Sequence, residues 1–155
     1  MQPSPDVGTQ FFETARQTLV SLSQYGFIEG RTQYDTQAFG NALLELRSPQ
    51  LRIHFVRDRS QLFVTVAPAA APEPEYDLAL LAEWLGSREA AAAVTAAMPP
   101  LGARAPAEPE TSRIRILSGI LRELMPELLR TLGGPGWAES VRTLDAFARE
   151  RGGTA

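Results

Sequence analysis

The chain has one histidine, His54, and its chemistry is the easiest to state. It lies within residues 51–56, where alternating apolar and polar residues predict a half-buried strand with His54 on the solvent-facing side. A histidine base needs a carboxylate to orient it, and Glu45, on the preceding predicted strand and the same face, is the best candidate. No Gly-x-Ser-x-Gly pattern supplies a nucleophile. Because a lone histidine in a strand is more often an ordinary residue, we predict no catalytic residue.

Three acids, Glu73, Glu75 and Asp77, lie close together and could suggest a Ca²⁺ or Mg²⁺ site. The segment lacks the calcium-loop pattern and its central glycine, so we interpret the acids as linker residues and favourable charges at a helix N-terminus. Cysteine is absent, which excludes thiolate metal sites. The glycines at 133–136 follow a predicted helix, which is the wrong context for a phosphate-binding loop. We therefore predict no metal site and no cofactor.

Arginines concentrate between residues 38 and 67, although the whole chain is mildly acidic. Four arginines against two acids give this segment a charge of +2 in a chain of −3 overall. Arginine and aromatic side chains on a sheet surface are typical of a protein-binding patch, although an ordinary solvated face with a simple turn at 57–59 has the same composition. The candidate partner-binding residues are Arg47, Arg52, His54, Arg57, Asp58, Arg59 and Phe63.

Two expectations follow from this placement. Arg47, Arg52 and His54 should project from one sheet face, and residues 57–59 should form a hairpin tip. Charge reversal at Arg52 and Arg57 should then weaken partner binding and leave the fold intact, because both side chains should be exposed.

Three β-rich runs, 42–47, 51–56 and 61–66, position these side chains. Their connectors are short, so consecutive strands must pair antiparallel in a three-stranded meander over about 39–67. One face should be packed and the other largely wet. The predicted packed face holds Leu44, Leu46, Leu51, Ile53, Phe55, Leu62, Val64 and Val66.

Helical periodicity precedes and follows the meander. A helix is predicted over about 10–24, capped by Thr9 and closed by Gly26, while residues 27–36 give no clear pattern beyond a turn at Gly30. The predicted class is α+β, with an N-terminal helix, the meander, and three to four C-terminal helices packed on one sheet face.

The C-terminal helices have recognisable boundaries. After a Pro/Ala-rich linker at 67–75, Asp77 and Ser87 should each start a helix, and Ser112 should cap a long one. Pro126 should kink or split that helix. The apolar stripe at 114–132 is either core or shared with a second copy in a homodimer.

The domain organisation is simple. Residues 1–8 are predicted to be a flexible arm, 9–150 a single domain with a Pro/Ala-rich loop at 98–110, and 151–155 a frayed tail. A length of 155 residues allows a substantial core.

Charge and hydropathy exclude some partners. A net charge of −3 disfavours nucleic acid, whose binding needs a basic surface. No apolar run approaches the roughly 20 residues that cross a bilayer, and residues 1–8 lack a secretory-signal pattern. We therefore expect a cytoplasmic protein that binds neither nucleic acid nor membrane.

The segment FGNALLELRSPQLRIHFVRDRSQLFV, with its Arg-Asp-Arg turn, resembles uncharacterised bacterial α+β proteins, among them immunity proteins of polymorphic-toxin systems. The resemblance extends over residues 39–86 and carries no functional residue with it. It implies a cytoplasmic protein without enzymatic activity that binds and neutralises a cognate toxin.

Two other classes stay open. A helix before a β-meander in a small acidic chain is similar to type III secretion chaperones, which implies a dimer that binds a secretion substrate; the chain differs from them after Gly86, where only helices are predicted. The third class is a hydrolase that uses His54.

Overall fold

The computed structural model describes most of the chain and places the sheet between two groups of helices in the sequence. The predicted arm and tail, and the predicted loop at 98–110, lie largely outside the described residues, so only their inner ends are seen. The described residues are 7–35, 37, 40–59, 61–71, 74–99 and 108–152.

One antiparallel sheet of five strands carries the fold, in the order β1-β2-β3-β4-β5. The strands are β1 (Ile28–Asp35), β2 (Asn41–Arg47), β3 (Leu51–Asp58), β4 (Gln61–Pro68) and β5 (Tyr76–Asp77). Helix α1 (Val7–Ser21) precedes the sheet, and a short 3₁₀ turn at Ser23–Tyr25 follows that helix. The later helices are α2 (Leu78–Trp84), α3 (Arg88–Ala97), α4 (Glu110–Thr131) and α5 (Trp137–Glu150).

The predicted α+β class is confirmed, but the prediction of three strands is wrong. Strand β1 was missed because it is an edge strand exposed along nearly its whole length, so its sequence shows no apolar alternation. A register shift between Glu29 and Thr32 disturbs its periodicity further. Strand β5 was missed because it has two residues, paired with Thr65 and Val66 of β4.

The core lies on one face of the sheet, here called the inner face. Side chains of this face from β2, β3 and β4 join the buried faces of α1, α2, α3 and α4 and Leu144 of α5 in one apolar cluster. All eight residues predicted for the packed face are buried there. Helix α1 packs against β1, β2 and α4, and α2 packs against β4, β5, α3 and α5. The other face of the sheet, the outer face, is left for the polar residues.

Several helix boundaries follow the local rules. The Asp77 carboxylate accepts a hydrogen bond from the Ala79 N–H at 2.8 Å, which caps α2. The Ser87 hydroxyl accepts one from the Ala90 N–H at 3.3 Å at the start of α3. Gly26, at φ 77°, closes the 3₁₀ turn in the left-handed region that favours glycine.

Other boundaries differ from the prediction. Helix α1 begins before Thr9, and α4 begins at Glu110, so neither Thr9 nor Ser112 is a cap. Helix α4 also runs through Pro126 without splitting, so of the predicted kink or split the split is wrong; Met125 and Leu128 on its buried side are fully covered by the core. None of the helices in the described part of the chain is long and apolar enough to cross a bilayer.

Candidate functional site

The outer face of the sheet is organised in rows that run across the strands. Cross-strand register aligns Leu43 of β2 with Val56 of β3, and Val56 with Phe63 of β4, and we call these three residues the apolar row. Because successive outward side chains are two residues apart, the next rows are set by the same register. They are the polar row, Glu45, His54 and Thr65, and the basic row, Arg47 and Arg52.

His54 is the centre of the polar row and lies between two carboxylates. Its Nε2 is 2.7 Å from Glu45 Oε2, and its Nδ1 pairs with Glu75 Oε1. Each ring nitrogen therefore faces a carboxylate. The predicted partner Glu45 is therefore confirmed. The expected exposure of His54 is wrong, because the ring is buried beneath Glu75.

Sequence reasoning missed Glu75 as a member of this site. The residue immediately precedes β5, whose pairing with β4 brings the end of the 67–75 linker back to the outer face. Its second oxygen, Oε2, accepts a hydrogen bond from the Thr65 hydroxyl at 3.1 Å. The cluster of acids at 73–77 was the available signal, but it pointed equally to a solvated linker.

Glu45 has the most complete set of partners in the polar row. Its Oε1 is 3.4 Å from Arg47 Nε and accepts the backbone N–H of Arg31 at 3.5 Å. Gly30 makes this approach possible, since a Cβ there would lie 2.5 Å from both Glu45 Oε1 and Arg47 Cδ. Burial by itself raises the pKa of Glu45, but the hydrogen bond from His54, with the Arg31 N–H and the charges of His54 and Arg47, outweighs burial and lowers it.

The basic row borders an open cavity of about 780 Å³. Arg47 is largely exposed there, whereas Arg52 is half-buried and donates from its guanidinium to the Ala71 carbonyl. The wall of the cavity therefore includes the guanidinium of Arg52, which the backbone holds, and the exposed guanidinium of Arg47. It is lined by Arg31, Glu45, Arg47, Arg52, His54, Pro74 and Glu75.

The apolar row is a partly accessible apolar strip on the outer face, and Ile28 of β1, opposite Arg47, is a separate exposed apolar residue. Phe63 is 37% exposed, and Leu43 and Val56 are half-buried. A cavity of about 430 Å³ opens beside Leu43 and Val56, and another of about 480 Å³ lies between Phe63 and α3, lined in part by Val94 and Met98. The apolar row thus has a recess on either side.

Arg57 contradicts the prediction that it is exposed at the hairpin tip. It is 4% exposed and points to the inner side, where its Nε donates to Glu110 Oε2 at 2.9 Å and its Nη2 pairs with Oε1. Its guanidinium also lies 5.0 Å from the centre of the Phe11 ring. Strand β3 runs beyond residue 56, so alternation sends Arg57 to the same face as Phe55. Arg57 therefore ties the sheet to α1 and α4 and is not available to a partner.

Asp58 and Arg59 do lie at an exposed tip. Asn41 anchors the turn, donating from its Nδ2 to Asp58 Oδ1 at 3.1 Å and accepting the Arg59 N–H on its Oδ1 at 2.8 Å. Arg59 has a φ of 50°, a conformation that a turn requires and that costs a non-glycine residue some strain. Of the predicted partner-binding residues, Arg47, Arg52, His54 and Phe63 share the outer face.

Comparison with known proteins identifies no relative, since no protein-family model, no curated protein and no solved structure matches the chain. The resemblance to immunity proteins therefore stays a prediction. Within the described ranges, no three acidic or histidine side chains are arranged to hold a metal ion. The function must be argued from the outer face itself.

Proposed function

We propose that the chain is a protein-binding module without enzymatic activity and that its outer sheet face binds the partner. The observation that carries the proposal is the apolar row, Leu43, Val56 and Phe63, which three adjacent strands hold in register on an accessible surface. Partially exposed aromatic and aliphatic side chains beside arginines have the composition of interface cores.

The charges beside the apolar row indicate what kind of partner fits. Arg47 is exposed in the basic row, which the polar row separates from the apolar row, and Arg31 is exposed at the same cavity. Arg59 lies at the tip of the β3–β4 hairpin. The partner should therefore present an apolar contact with acidic side chains around it. A cognate bacterial toxin is the class of partner we propose, in keeping with the resemblance of residues 39–86.

The geometry of His54 favours binding over hydrolysis. A general base needs a ring nitrogen that faces the substrate, and here Glu45 and Glu75 occupy both nitrogens of a buried ring. The Thr65 hydroxyl is directed to Glu75 and so is not paired with the histidine. The three residues are better explained as a network that holds the linker against the sheet.

A secretion-type chaperone is the second candidate, and the order of elements favours it, because helix α1 precedes the meander. The chaperone proposal predicts a homodimer that binds a secretion substrate. Among the described residues after Gly86 there are helices and no strands, so the departure from those chaperones persists.

The experiment that tests the proposed function is co-expression with the product of a toxin-type gene adjacent to the native gene. The wild-type chain should restore growth and co-purify with that product. Phe63→Glu should abolish both, because it puts a negative charge into the apolar row opposite an acidic partner.

Ile116→Glu is the matched control, since Ile116 is an exposed apolar residue of α4, away from the sheet. Both variants should keep the wild-type circular dichroism spectrum and thermal midpoint. If Phe63→Glu still co-purifies and rescues, or if Ile116→Glu alone loses binding, the outer face is not the binding surface. A homodimer that binds a secretion substrate and no toxin would favour the chaperone function over the immunity function.

A further inference from the structure

The cavity beside the basic row has a chemistry of its own. We infer that it is the subsite for a carboxylate of the partner, supplied by an exposed Asp or Glu that enters between Arg31, Arg47 and Arg52. The inference rests on the proposed function, because it assigns the chemistry of one part of the same partner.

Charge is the first argument. Three guanidinium groups and two carboxylates line the cavity, which leaves one positive charge. Both carboxylates already have partners within the chain, Glu45 through His54 and Arg47, and Glu75 through His54 and Thr65. The positive charge that remains belongs to arginines at the mouth of the cavity.

Geometry is the second argument. Arg47 keeps 60% of its side-chain surface exposed although its Nε lies near Glu45, and Arg31 is exposed on the neighbouring strand. Arg52 is held by the Ala71 carbonyl, so one wall is fixed before a ligand arrives. A guanidinium presents parallel N–H donors that match the two oxygens of a carboxylate.

The acids that line the cavity also select against a nucleic-acid backbone. Glu75 stands at the edge of the cavity with about a third of its side chain exposed, and it would oppose a nucleic-acid backbone that crosses the face. The chain as a whole carries −3, which disfavours phosphate backbones further. A single acidic side chain brings one negative charge and is therefore opposed less than a phosphate backbone is.

The test is a titration of the full chain with a short polyglutamate peptide, followed by amide and arginine Nε resonances in ¹H–¹⁵N spectra. A polyglutamine peptide of equal length and inorganic phosphate at equal ionic strength are the comparison ligands. We expect saturable shifts at Arg31, Arg47 and Arg52 with polyglutamate alone.

Two matched double variants make the site specific. Replacing Arg31 and Arg47 by Gln should raise the dissociation constant for polyglutamate by about tenfold, since two charge-assisted contacts are lost. Replacing Arg115 and Arg122 by Gln, on the exposed side of α4, removes the same charge and should leave it unchanged.

Three outcomes would overturn the inference. The first is that polyglutamate causes no saturable shift. The second is that phosphate binds equally well at the same residues, which would make the cavity a general oxyanion site. The third is that both double variants weaken polyglutamate binding equally. None of these outcomes concerns the apolar row, so the rescue and co-purification experiment with Phe63→Glu would still test the proposed function. Conversely, polyglutamate binding that survives in Phe63→Glu would support the carboxylate subsite even if toxin rescue failed.

Discussion

At the scale of single residues, the arrangement of Glu45, His54 and Glu75 decides how the outer face should respond to pH. The lowered pKa of Glu45 means that the folded state favours its carboxylate. Its stabilisation is therefore complete above the ordinary pKa of 4.5 and is lost as the pH falls through the lower folded pKa. The network thus protects the fold at neutral pH and weakens in acid.

Glu45→Gln should be less stable than the wild type at pH 7 by about 1–3 kcal/mol, because a neutral amide replaces the charged carboxylate that faces His54 Nε2 and Arg47. The difference should shrink as the pH falls from about 4.5 through the lower folded pKa, since the carboxylate is then protonated first in the unfolded chain and finally in the folded one. Urea unfolding of both proteins at pH 7 and at several pH values below 4.5 measures this difference in the free energy of unfolding. A difference that stays constant across this range would show that Glu45 does not titrate as part of the network.

Arg57 should behave as a structural residue and not as a binding residue. Removing one member of a buried ion pair leaves the other unpaired, so Arg57→Leu should cost about 3 kcal/mol through the stranded Glu110 carboxylate. Arg59→Ala, at the exposed tip, should change the free energy of unfolding by less than about 0.5 kcal/mol. Equal effects of the two variants in chemical denaturation would contradict the buried pairing.

The residue-level prediction succeeded where it used register and failed where it needed tertiary contacts. Glu45 and His54 could be paired from strand alternation alone, because facing strands bring matching positions together. Arg57 was misplaced because its partners, Phe11 and Glu110, are remote in sequence. The same limit applies to Glu75, since only the pairing of β5 with β4 shows that it returns to the sheet.

At the scale of elements, the short strand β5 joins the sheet to α5. The Tyr76 hydroxyl donates to Asp145 Oδ1 at 2.7 Å, and the ring is buried. Burial first, and the Asp145 carboxylate second, raise the pKa of Tyr76. The hydroxyl therefore stays protonated in the folded chain well into alkaline solution.

Tyr76→Phe should destabilise the fold by about 1–2 kcal/mol at neutral pH, because Asp145 loses a donor. A raised folded pKa contributes stability below the ordinary tyrosine pKa of 10.0 that is lost as the pH rises above it. The variant should therefore approach the wild type in alkaline urea titrations. An unchanged neutral midpoint would mean that β5 does not depend on α5.

Helices and strands could be predicted where burial of one face gives the sequence a regular spacing of apolar residues. Strands β2, β3 and β4 each bury one face, and α4 buries one side, so all four show their pattern. Strand β1 lies at the sheet edge with its side chains exposed, and nothing in its sequence needs to alternate. The turn predicted at Gly30 is wrong, because Gly30 lies inside β1, where its missing side chain leaves room for Glu45.

At the scale of the whole molecule, the helices supply the core on the inner face and leave the outer face to its three rows. Arg57 and Tyr76 fix the helices to the sheet, and the polar row fixes the linker to it. The face that remains has the apolar row on one side of the polar row and the basic row on the other. We therefore assign partner binding to the outer face of the sheet and attribute the stability of the fold to the helix-covered inner face.

The most direct measurement is hydroxyl-radical footprinting of the chain alone and in complex with its co-purified partner. Leu43, Val56 and Phe63 should be protected in the complex, while Val20 and Ile116, exposed on the helices, should react equally in both states. Protection at Val20 and Ile116 with unchanged reactivity along the apolar row would contradict binding by the outer face.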